Sequence, residues 1–89
     1  MVIPKLLKIG AHTIKIVQKD HWEGSDEESG RFDNESLEIW IKSSLAPTVK
    51  EATLIHEILH AINSELNHTV LDSFSEQLYQ VLHDNKMLK

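Results

Sequence analysis

The sequence predicts an α+β domain: a small antiparallel sheet of three or four strands packed on a long helix and on a second helix that follows it. Three observations carry this expectation. Segments rich in β-branched residues are confined to the first half of the chain, and apolar residues recur at helical spacing in the second half. The length of 89 residues suits a single domain, 1–89, with a thin core.

The strands come first. His12 to Gln18 is rich in β-branched residues, with Ile14 and Ile16 on one face. Leu37 to Lys42 alternates cleanly, so Leu37, Ile39 and Ile41 point inward while Glu38, Trp40 and Lys42 point outward. Gly30 to Asp33 adds a short strand, and Asp33-Asn34-Glu35 has the composition of a hairpin turn. Between the first two runs, Asp20 to Ser29 is acidic and polar and reads as a solvated loop. Trp22 in that loop and Trp40 on the outward face cap a thin sheet, or line a substrate or partner surface.

The helices follow. Thr48-Val49-Lys50-Glu51 fits a capping box behind Pro47, and Ala52 to Leu66 has helical periodicity. Ile55, Ile58, Leu59, Ile62 and Leu66 form its apolar stripe, widened by Leu54 and Ala61. Thr53, His56, Glu57, His60 and Ser64 form a narrow polar strip on the opposite side. After a break at Asn67, His68 and Thr69, a second helix runs from about Val70 to His83, with Leu71, Phe74, Leu78, Val81 and Leu82 as its core side. The tail, Asp84 to Lys89, is expected to fray.

Composition narrows the function classes. With no cysteine, any metal ligands must be imidazole or carboxylate. A formal charge of −5 without a basic cluster argues against nucleic acid as a partner. No segment has the apolar length of a signal peptide or a membrane span, so no membrane partner is expected and the cytoplasm is the expected compartment. The six His residues are many for this length.

Two of them sit in His56-Glu57-Ile58-Leu59-His60. Residues four apart on a helix differ by only about 40° around the axis, so both imidazoles can reach one ion from the same side. Glu57, about 100° from His56, can hold a water without ligating the metal. A polar strip on an otherwise apolar helix is costly unless it is paired or metal-bound. Zinc is the expected ion, and a catalytic zinc needs a third protein ligand. Glu65 points away from His60 on the helical wheel, and the turn carrying His68 is expected to face away from the helix middle. Glu76, at mid-helix on an antiparallel return, is better placed; Asp72 and His68 remain open, and Glu76 also fits a capping box with Ser73.

From Thr53 to Ile62, and again at Glu76-Gln77-Leu78, the chain resembles the gluzincin metallopeptidases, and their smallest members, the minigluzincins and phage-type mini-metallopeptidases, above all. The resemblance extends from about residue 10 onward. It implies an active-site helix under a small sheet, zinc held by His56, His60 and Glu76, and Glu57 as general base. It also implies a peptide substrate lying along the sheet edge nearest the site, taken as Leu37 to Lys42. The expected activity is zinc-dependent peptide-bond hydrolysis, with Tyr79 or His83 as candidate electrophilic helpers. The rival expectation is a metal-stabilised protein-interaction module without turnover, favoured by the small size.

Overall fold

The chain's β-branched half does form the sheet, and its periodic half forms two helices, in a computed structural model that describes residues 1–88. Strand β1 (Leu6–Ile9) pairs antiparallel with β2 (His12–Lys19). A two-residue turn joins them, and Gly10 takes φ +60 there, a conformation such hairpins reserve for glycine. Strand β1 goes beyond the three runs read from sequence; its signal was Leu6 to Ile9 followed at once by Gly10.

The sheet is mixed, which corrects the all-antiparallel expectation. Its order is β1-β2-β4-β3, with β3 (Gly30–Asp33) at the far edge and β4 (Glu38–Lys42) between β2 and β3. The chain leaves β2, crosses over through residues 20–29, returns along β3 and hairpins back as β4. That last reversal lays β4 parallel to β2 and antiparallel to β3. The β3–β4 turn is held by Asp33, whose carboxylate accepts from the Ser36 backbone N–H and hydroxyl. Leu37 closes it at φ +55 and packs on the core.

The inner face carries Ile14, Ile16, Ile39 and Ile41, all buried with Leu54 of helix α1 (Pro47–Ile62). On the outer face Trp22 is buried and tilted against Trp40, their rings 5.8 Å apart, with the Lys19 ammonium 3.7 Å from the Trp40 ring centre. The segment from Asp20 to Ser29 is mostly exposed, as expected of a solvated loop, but it folds back to bury Trp22 and Ser25. Trp22 donates its ring N–H to Glu28, Glu28 pairs with Arg31, and buried Ser25 bonds His21.

Helix α1 starts without the expected capping box. Pro47 occupies its first turn, and Ala46 supplies no side-chain cap. Glu51, the residue that would have closed the box, is buried; its carboxylate pairs with the Met1 amine at 2.8 Å and accepts from the Tyr79 hydroxyl at 2.7 Å. The helix stops at Ile62, and Asn67 caps helix α2 (His68–Asp84) by accepting from the Val70 N–H. At its far end the tail turns back: Met87 N–H donates to the Leu82 carbonyl and Lys86 N–H to that of His83, with Lys86 at φ +57. This cap replaces the expected fraying up to Met87; Lys89 lies outside the described residues.

The apolar stripes are only partly inside. Leu54 and Leu71 are fully enclosed, but Ile62 is 62% exposed and Phe74 55%, and Val81 also faces solvent. The polar strip of α1 runs the other way from expectation: Thr53 and Glu57 are more buried than Ile55, Ile58 or Leu59. The reason is the close approach of α1 to β3. A Cβ on Gly30 would lie 2.6 Å from Thr53 Cγ2 and 3.5 Å from Glu57 Cγ, so a bare glycine lets the strip press onto the sheet edge. Among the described residues, no helix is long and apolar enough to cross a membrane.

Candidate metal centre

His56 and His60 face one side of α1, as their spacing requires, and their rings meet edge to face with centres 4.8 Å apart. The third imidazole comes from His68. It stands in the first turn of α2, where Asn67 caps the helix and the chain has just reversed, so it faces back to α1. Its ring centre lies 4.9 Å from that of His60 and 6.5 Å from that of His56. One ligand atom from each of the three lies within 4.8 Å of the others. The turn that was expected to point His68 away from the helix middle instead brings it to the pair.

Glu76 lies two turns further along α2. It is exposed, lines the same cleft, and its charge favours the protonated form of His56, but it is not part of that trio. Asp72 lines the cleft as well, with Oδ1 3.5 Å from His56 Nδ1. Ser75, buried one turn before Tyr79, has its hydroxyl 3.2 Å from the same nitrogen. Neither Ser75 nor its contact was anticipated from sequence, since a serine inside an amphipathic helix carries no signal of what it faces.

Burial lowers the pKa of His56, with His68 adding to the effect and Asp72 and Glu76 opposing it. Burial also lowers that of His60, reinforced by the two neighbouring imidazoles. Both shifts favour the neutral ring, the form in which imidazole can ligate a metal. Glu57 is 6% exposed. Burial pushes its carboxyl up to about 7, the Glu28 charge adds to this, and the Phe32 N–H and Arg31 hold it back.

These groups line a cleft of about 920 Å³ bounded by α1, α2, strand β3 and residues 27–29. Its sheet border is β3, which corrects the expected substrate edge: β4 has neighbours on both sides and offers no free backbone. Tyr79 and His83 do not line the cleft. Tyr79 is tied to Glu51, where burial and then that carboxylate push its phenol up to about 12, and His83 borders a separate depression near Met1. Neither is placed to assist at the trio. Of the tail, no described residue lines the cleft.

No protein-family model matches the chain, and no curated protein or solved structure matches it. The functional reading therefore stands on the site alone. Three imidazoles suit a borderline divalent ion such as zinc, and three protein ligands leave a fourth position for a reactant.

Proposed function

We propose that this chain is a zinc-dependent hydrolase of peptide bonds, with His56, His60 and His68 as ligands and Glu57 as general base. The observation that carries the reading is that a three-imidazole cluster and the buried Glu57, adjacent in sequence to His56, line one cleft. A bound zinc ion would polarise the scissile carbonyl and acidify a water. Glu57 would take that water's proton and deliver it to the leaving amine, and a carboxyl with a pKa near neutrality suits both steps. The β3 edge that borders the cleft would take an extended peptide near Glu57. Glu76 is the third ligand that the gluzincin resemblance implies, so the two ligand sets make different demands on variants.

A second reading has its own support. Val70, Phe74 and Val81 leave an apolar stripe exposed on α2, which suits a metal-stabilised interaction module.

One experiment separates these readings. Wild type and Glu57→Gln are incubated with a mixed peptide library, cleavage is read by mass spectrometry, and bound zinc is measured in both. The expected result is cleavage by wild type, reduced about 10²–10⁴-fold in the variant, with zinc retained. Equal cleavage by both proteins, or none by zinc-loaded wild type, would overturn the hydrolase and leave the module. Chelator competition on His68→Ala and Glu76→Ala decides the third ligand; His68→Ala is expected to release zinc more readily.

A further inference from the structure

Two acceptors converge on one nitrogen of His56, and they decide which of its ring atoms is free. Ser75 is 3% exposed, and its hydroxyl lies 3.2 Å from the Asp72 carbonyl, the bond a serine commonly makes one turn back along a helix. A hydroxyl has a single proton to give. With that proton on the Asp72 carbonyl, the Ser75 oxygen meets His56 Nδ1 at 3.2 Å as an acceptor. The second group near Nδ1 is the Asp72 carboxylate at 3.5 Å, which also only accepts when ionised. A lone pair on Nδ1 would face both oxygens, so Nδ1 carries the hydrogen and Nε2 keeps the lone pair.

We infer that Ser75 is a positioning residue that fixes His56 in its Nδ1–H form and thereby leaves Nε2 as the nitrogen with a lone pair to offer a metal. The two acceptors are not equivalent. The Asp72 side chain is 61% exposed and free to exchange its partner for water, whereas Ser75 is enclosed between the helices. Ser75 is thus the constant partner, and the contact spans 19 residues of sequence from α1 to α2. Outer partners of this kind hold a ligating imidazole in one tautomer and orientation, and losing one typically weakens metal binding about 10–100-fold. The inference rests on the metal-centre reading for its consequence, but the tautomer itself exists without metal.

The test is ¹⁵N NMR of the imidazole rings in chelator-treated protein at about pH 8, on wild type, Ser75→Ala and Ser75→Thr. Wild type should show His56 as a single Nδ1–H tautomer. Ser75→Ala should show a mixture, and Ser75→Thr, which keeps the hydroxyl, should restore the single form. In parallel, chelator competition should show zinc held about tenfold more weakly by Ser75→Ala and normally by Ser75→Thr. A wild-type ring with hydrogen on Nε2, or a tautomer indifferent to loss of the hydroxyl, overturns the proposal. If the alanine variant fails to fold, the wild-type spectrum alone still decides which nitrogen carries the hydrogen. Failure of wild type to bind zinc while His56 is pinned would sink the metal reading and leave the positioning assignment standing.

Discussion

Replacing Glu57 by Gln should make the metal-free protein more stable at alkaline pH, although it removes the proposed base. Burial pushes the Glu57 carboxyl up to about 7, against 4.5 for a free glutamate. A gap of about 2.5 between those values corresponds to roughly 3 kcal/mol, at about 1.4 kcal/mol for each pH unit. The sign follows from which state binds the proton. Below 4.5 the group is protonated in both states and costs nothing. As pH rises through 4.5 the unfolded chain ionises freely, while the folded chain keeps its proton until about 7, so folding stability is lost across that window and stays low above it. Glutamine has no such slope. Its carbonyl can still accept from Phe32, and its N–H₂ faces the Glu28 charge that repels a carboxylate. Urea unfolding in excess chelator should find Glu57→Gln equal to wild type near about pH 4 and more stable by about 2–3 kcal/mol near about pH 8. For a domain of this length that is roughly 10 °C or more in Tm. Zinc should shrink the difference, because a nearby dication favours the carboxylate. Parallel pH curves for the two proteins, or a less stable variant at alkaline pH, would refute the claim that the fold holds Glu57 against its preferred ionisation.

Two further outcomes follow from other contacts. The Met1 amine and the Tyr79 hydroxyl hold the Glu51 carboxyl below its ordinary range, so their stabilisation is present above about 4.5 and lost as pH falls through the lowered folded value; Glu51→Gln should flatten the acid limb of a Tm profile and cost about 1–3 kcal/mol at neutral pH. Gly30→Ala would set a Cβ 2.7 Å from the Trp40 carbonyl and 2.6 Å from Thr53, and because the first is backbone of the central strand it cannot yield. A loss of about 1–3 kcal/mol in denaturant titration is expected, and an unchanged midpoint would show that α1 does not press on β3 as described.

Some of this was legible in the residues alone, because it depends on local geometry. The order of strands before helices follows from side-chain period, and Ile14, Ile16, Ile39 and Ile41 face one side because alternation leaves them no other choice. His56 and His60 share a helix face for the same reason, at any position that helix takes in the fold. The turn residues were informative where they acted on their own backbone, as Asp33 does; Gly10 does so too, although the strand before it went unread.

What lay outside the reach of sequence concerns elements meeting across the fold. Whether β4 joins the sheet at its edge or slots between β2 and β3 is invisible to alternation, since both arrangements bury the same isoleucines; yet it decides that β3 borders the cleft and that the sheet is mixed. Thr48 and Glu51 have the spacing of a capping box, but a buried carboxylate gains more from the Met1 amine and Tyr79 than from one backbone N–H in water. Helical periodicity names an apolar stripe without saying how much of it finds a neighbour, so Phe74 and Ile62 stay exposed while Glu57 is enclosed. Sequence alone determined that two imidazoles and a carboxylate share a helix. The tertiary structure decided that His68 completes the cluster and Ser75 supports it, because the reversal at residues 63–67 sets how α2 lies against α1.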